Sequence, residues 1–352
     1  VPNFVNYFMI KKTLSFLVLL SALFPQSLKL ISADQLTNST QNGEKVVRLE
    51  GNVIFEQDSL VLKAQKAIRF VEQDILELNG NVELEDKSKR MAADIIVFDS
   101  KNNIIELKNN TSIQFNGYSL VADQAVFNRE TNIIDLKKQP KIFEASNEIQ
   151  GTQIVVAIEG DLIKDVEVLG KGVIINKDLE SKFSNQNILR AEKINVSFFD
   201  GVLKFISLEN MASSEFYINN GSETEGKNLI TGDLITVDFL NQEIISMKAS
   251  GGIIGNYKRY SSTTSLNDRI DYFAEKADFN FENNKTKLYG ESSINYGDVN
   301  ISAASIEMDL KSEILSAFSF NPFNKEEKIT PKFTEKNNSP VYGNEITDNL
   351  QS

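Results

Sequence analysis

The chain has 352 residues, a net charge of −12 and 41% apolar residues, with no Cys, no His and no Trp. That composition is sufficient for a buried core. It excludes disulfides, thiolate nucleophiles, a lipid-modified cysteine and imidazole general bases, and the negative balance argues against a nucleic-acid backbone, which needs clustered Lys and Arg.

The first element is a targeting segment. Residues 9–24, MIKKTLSFLVLLSALF, place Lys11 and Lys12 before an apolar run from Thr13 to Phe24 that Pro25 ends. A spanning helix takes roughly 20 residues, and a signal h-region about 7–15. Residues 1–30 therefore read as a signal peptide, with a retained anchor as the alternative and the cleavage point near Ala33 open. The mature protein is expected outside the cytoplasm, where a cysteine-free chain avoids mispairing.

A repeat then runs along the chain. The stretch LVADQAVFNRETNIIDL at 120–136 is echoed at 62–78, 91–107 and 272–288. Small residues anchor the copies at Ala64, Ala93, Ala122, Gly151, Ala191, Gly232, Ala274 and Ala303, with a weaker start at Ala33. Two residues before each anchor stands an apolar or aromatic side chain: Leu62, Met91, Leu120, Ile149, Leu189, Ile230, Tyr272 and Ile301. Three and five residues after it the pattern is apolar again, as in Ile96 with Phe98, Ile154 with Val156, Ile235 with Val237 and Ile306 with Met308. The buried parity of a strand changes in this way when a residue is inserted at a bulge or corner. Nine residues past the anchor comes turn chemistry such as Asn102, Thr131 and Asn283, and then a second alternating strand. Each copy is a two-strand unit whose strand turns a corner. The expected fold is all-β, antiparallel and meander-like. Polar inserts at 176–186, 219–227 and 256–268 read as lengthened loops.

The units at 48–70, RLEGNVIFEQDSLVLKAQKAIRF, and 77–99, ELNGNVELEDKSKRMAADIIVFD, resemble the OstA/LptA family of lipopolysaccharide-transport proteins. Gly51-Asn52-Val53 and Gly80-Asn81-Val82 match the family's first element, and Ala93-Asp94 and Ala122-Asp123 its second. The resemblance extends over about 31–320 and is clearest in the first half. It implies a twisted, open β-jellyroll of about eight or nine two-strand repeats, a periplasmic location and no enzymatic activity. It also implies an interior that takes acyl chains of lipopolysaccharide, and partners in the inner and outer membranes reached by end-to-end strand addition, with head-to-tail self-association. The extra length leaves room for two such domains, at 31–175 and 176–320, or one continuous trough.

The residues expected to line that trough are Leu62, Ile96, Phe98, Leu120, Phe127, Ile149, Ile154, Val156, Ile235, Val237, Phe279, Phe281, Ile301, Ile306 and Met308. Each is equally at home in a dry core. Lys66, Arg69, Lys193 and Lys276 are candidates for the rim, against the plainer reading of solvated surface charges. Catalytic residues, metal ligands and cofactors are not expected, because the carboxylates are scattered without a clustered pair. The tail 321–352 is polar, contains three prolines and lacks alternation, so it is expected to be disordered. Two other functions compete: a structural or adhesive surface β-array with a dry core, and a carbohydrate-active enzyme on a repeat scaffold.

Overall fold

A computed structural model of the chain describes residues 29–349 apart from 42, 58, 87–88, 178–185, 221–222, 242, 261–268, 284, 310–311, 313 and 337. The signal-peptide segment lies outside the described residues, except for Lys29 and Leu30. The described residues form strands and turns and no helix, so the fold class is the expected one. They divide into two compact units. Unit 1 runs to Lys137 and takes in Val156–Ile163; unit 2 comprises Lys138–Val155 and everything from Lys164. The chain passes from one unit to the other at Lys137–Lys138, Val155–Val156 and Ile163–Lys164.

Unit 1 holds β1 (Lys29–Ser32), β2 (Gln35–Gln41), β3 (Glu44–Gln57), β4 (Leu60–Phe70), β5 (Ile75–Asp86), β6 (Lys89–Asp99), β7 (Ile104–Phe115), β8 (Tyr118–Asn128) and β9 (Ile133–Lys137). From β3 to β9 each strand pairs antiparallel with the next. Unit 2 begins with β10 (Lys141–Glu144) and β11 (Asn147–Gln150). Next comes β12 (Gln153–Glu159), whose last four residues belong to unit 1. Then follow β13 (Leu162–Lys177), β14 (Gln186–Phe199), β15 (Val202–Asn220), β16 (Glu223–Leu240), β17 (Glu243–Arg259), β18 (Arg269–Asn280), β19 (Lys285–Tyr296), β20 (Val299–Asp309) and β21 (Ile314–Phe318). The chain ends in five short strands: β22 (Phe320–Asn321), β23 (Asn324–Lys328), β24 (Lys332–Glu335), β25 (Val341–Tyr342) and β26 (Glu345–Asn349).

Most of the long strands turn a corner, and the burial pattern shows where. In β4 the buried residues Leu60, Leu62 and Ala64 are followed by two exposed ones, Gln65 and Lys66, before burial resumes at Ala67. β18 repeats this with Ile270, Tyr272 and Ala274, then Ala277 and Phe279. The parity change read from the sequence is therefore real, but its cause lies on the neighbouring strand rather than in the small anchor. Opposite each corner, two consecutive residues adopt positive φ: Gly51-Asn52, Gly80-Asn81, Asn109-Asn110, Lys138-Gln139, Gly170-Lys171, Asn210-Met211, Gly251-Gly252 and Gly290-Glu291. The ladder register shifts at these pairs, for instance between Glu50 and Val53 and between Asn79 and Val82. Two left-handed residues stand opposite one on the neighbouring strand, and this single extra residue bends the strand and re-aims its side chains. Glycine and asparagine tolerate that conformation best, which explains the recurrent Gly-Asn. Polar side chains tie the bend down. Asn52 Nδ2 donates to Asp34 at 3.1 Å, and Asn110 Nδ2 to Asp94 at 3.0 Å. Thr152 Oγ1 donates to the Gly170 carbonyl at 2.9 Å.

At Gly80, with φ of 85°, an added Cβ would lie 2.6 Å from Gln65 Oε1. Gly80→Ala is expected to destabilise unit 1 by more than the strain of a left-handed non-glycine residue, about 1–2 kcal/mol, because the Gln65 Cβ, 2.8 Å from the new atom, cannot rotate clear. Gly160→Ala has a comparable φ of 64° and open space, and should cost the strain alone. Urea denaturation of the two variants compares them directly.

The tail is ordered where disorder was expected. β24 pairs with β20, β25 with β24, and β26 with β21. Runs of two to five residues are too short to register as alternation in a sequence. They become strands by completing the hydrogen-bond ladder of an edge already in place, so tertiary context overrides weak local preference.

Candidate functional site

In unit 1 the buried faces form continuous apolar rows across the strands. On one side of the corners Phe55, Leu62, Leu84, Met91, Ile113 and Leu120 are successive register partners. On the other side run Ala67, Leu78, Ile96, Leu107, Ala125 and Leu136. A further row joins Phe98, Ile105, Phe127 and Ile134. Of the described side chains in this unit, Thr111 is the one buried polar residue. The outer faces are charged: Arg90 pairs with Glu83 at 2.8 Å and with Glu85 at 3.4 Å.

Unit 2 repeats the plan with more polar content. Ile194, Leu208, Ile235, Ala249, Ala277 and Leu288 make one row. Across the corners lies Ser214–Ile230–Gly255–Tyr272–Ile294–Ile301. Tyr272 and Phe279 both lie on β18, seven residues apart, with ring centroids 6.3 Å from each other. A straight strand would separate their Cα atoms by roughly 23 Å, so the rings meet because the corner folds the strand. Phe216 and Phe281 meet edge to face at 5.5 Å. The Tyr272 hydroxyl donates to Asn228 Oδ1 at 2.9 Å inside this interior. Burial pushes the Tyr272 phenol pKa well above its ordinary value. The ring lies against Gly255, where a Cβ would sit 1.9 Å from ring carbons. The glycine makes room for the aromatic ring on the adjacent strand.

Residues 30–161 match the family described as LptA/(LptD N-terminal domain) LPS transport protein. This segment is similar to the LptA/LptD N-terminal family. The chain is also similar to LptH, described as the LptA homologous periplasmic component of the conserved lipopolysaccharide transport device from Pseudomonas aeruginosa. That similarity is 15% in identity, covers 32% of this chain and 83% of LptH, and has a TM-score of 0.28. No curated protein matches the chain.

The LptA-like segment buries Leu62, Ile96, Phe98, Leu120, Phe127, Ile154 and Val156, each at most 2% exposed. Outside it, Ile235, Val237, Phe279, Ile301, Ile306 and Met308 are buried as well. Two expected residues fall short: Ile149, between Ile142 and Ile174, and Phe281, in the turn after β18, are half-buried. The rim cations have partners. Lys66 pairs with Glu50 at 3.3 Å, Arg69 with Asp74 at 3.5 Å and Lys193 with Glu167 at 2.8 Å. The Lys276 ammonium stands 5.3 Å from the centroid of the Phe323 ring. The Glu167 carboxylate raises the Lys193 pKa. The sequence reading missed the Asn228–Tyr272–Gly255 cluster, whose one visible signal was a lone tyrosine in an aliphatic column.

Proposed function

We propose that the chain is a periplasmic lipopolysaccharide-binding transport protein. In this reading it holds acyl chains between its apolar walls and bridges inner- and outer-membrane transport partners by end-to-end strand addition. The observation that carries it is the family match of residues 30–161 to a unit whose interior rows are almost wholly apolar. Burying acyl chains contributes about 0.8 kcal/mol per methylene, so no catalytic group is needed. Three of the four rim cations already pair with carboxylates and the net charge is −12, so the anionic head groups stay in water and the tails are held.

The second reading, a structural β-repeat with a dry core, draws on the ring contacts that join the two walls in unit 2. One experiment separates them. A photoreactive phenylalanine analogue at Phe98 or Phe127 is expected to capture lipid in cells, whereas the same group at Phe199, which is 67% exposed, captures none. Absence of lipid at both buried positions, read by mass spectrometry, would leave the dry-core reading standing.

A further inference from the structure

The strand edge at the start of unit 1 differs from the one at the end of unit 2. β1 and β2 both pair with β3, on either side of Asp34. β2, QLTNSTQ, carries no charge, and Leu36 on it is 56% exposed. Among the described residues β2 is paired on one side only, leaving its other row of backbone groups as a template for strand addition.

At the far end the chain covers its own edge. β24 lies on the first half of β20, with Ile301 opposite Phe333. β26 lies along all of β21, from Ile314–Asn349 to Phe318–Glu345. Side chains fasten this strap. The Tyr296 hydroxyl donates to an Asp348 carboxylate oxygen. Lys336 reaches Asp298 through both its backbone N–H, at 3.1 Å, and its ammonium, at 3.4 Å. The outer margin of the strap is poor for pairing. β25 has two residues and follows Pro340, while β26 carries Glu345 and Asp348. Short strands, proline and charge all blunt an edge. The edge beneath, ILSAF in β21 and VNIS in β20, is uncharged.

We propose that residues 329–349 are a self-supplied plug. They occupy the strand-addition edge of β20 and β21 and keep it shut against the one-sided β2 of a second copy, whose uncharged strand fits the uncharged edge. This rests on strand addition as the chain's mode of assembly. An incoming strand replaces ladder hydrogen bonds one for one, so the exchange is close to neutral in hydrogen bonding. The tether decides the outcome, because a strap held on a short linker competes at an effective concentration on the order of millimolar. At micromolar protein the plug wins.

The test uses the absence of cysteine from the chain. Ser316 and Thr347 face each other across β21 and β26, so Ser316→Cys with Thr347→Cys locks the strap by oxidation and frees it by reduction. Truncation after Lys328 removes it. In sedimentation without lipid, the truncated chain is expected to self-associate about 100-fold or more tightly than the intact chain, the scale of a lost tethered competitor. Adding Leu36→Lys should abolish that gain. A labelled peptide of residues 33–41 at millimolar concentration is expected to bind the reduced double-cysteine protein and not the oxidised one. Equal peptide binding in both redox states overturns the proposal, even where the truncated chain fails to fold. A folded truncated chain that associates no more than the intact one, or association indifferent to Leu36→Lys, overturns it as well. None of these readouts involves lipid, so their failure leaves the acyl-chain reading untouched, and failure of the lipid capture leaves these readouts interpretable.

Discussion

Gly255→Ala is expected to destabilise unit 2 by about 3 kcal/mol or more, although it adds a single methyl group. The new Cβ would lie 1.9 Å from two carbons of the Tyr272 ring. That ring is 1% exposed and tied through its hydroxyl to Asn228, so it cannot simply move aside. Overpacking a filled interior costs about 1–3 kcal/mol. If the ring is expelled, Asn228, itself 5% exposed, loses its donor, and a stranded buried polar group costs about 1–3 kcal/mol more. Gly252→Ala, three residues away on the same strand, provides the contrast. Its φ of 69° makes alanine strained, but the space around it is open, so about 1–2 kcal/mol of left-handed strain is the whole cost. Denaturant unfolding of both variants settles the comparison. A Gly255→Ala protein within about 1 kcal/mol of the parent would show that the ring is free to repack. Tyr272→Leu in the Gly255→Ala background should recover part of the loss, because the two changes relieve the same collision and so do not add.

The sequence shows what recurs and hides what occurs once. Ala64, Ala93 and Ala122 stand 29 residues apart, so the parity change around them appears in column after column. The pattern therefore predicts corner-turning strands with the correct buried side chains, Phe98 and Phe127 among them. The hinge pairs were harder to see because their chemistry drifts: Gly51-Asn52 becomes Asn109-Asn110, then Lys138-Gln139 and Asn210-Met211, while the backbone conformation stays the same. A positive φ is a property of the fold's geometry, and residues of very different character are forced into it when the ladders on both sides demand it. The tail escaped for another reason. β26 is a strand because β21 offers five partners, and nothing within EITDN announces that. The Asn228–Tyr272 hydrogen bond joins residues 44 apart across two intervening corners, a pairing no local pattern carries.

The interior rows raise a question that packing energetics can decide. Phe98 is 1% exposed and lies between Leu76 and Ile105 in the ladder. Phe98→Ala is therefore expected to cost about 3–5 kcal/mol in the lipid-free protein, the usual loss for emptying a phenylalanine site in a packed core. The same substitution should improve the binding of acyl chains. A chain entering the parent protein must displace side-chain contacts already made across the interior, whereas the variant presents apolar surface with no partner. Lipid that fills this space recovers part of the lost transfer free energy, and a ligand that binds only the folded state stabilises it in proportion to the logarithm of its concentration over Kd. The expected result is a crossing of trends. Phe98→Ala is the less stable protein without lipopolysaccharide and gains about 1–2 kcal/mol more than the parent when it is added, equivalent to roughly a 5- to 30-fold tightening of affinity. Denaturant unfolding of unit 1 with and without lipopolysaccharide measures both quantities in one series. Equal shifts for parent and variant, or none, would mean that lipid does not reach this row and that Phe98 serves packing alone.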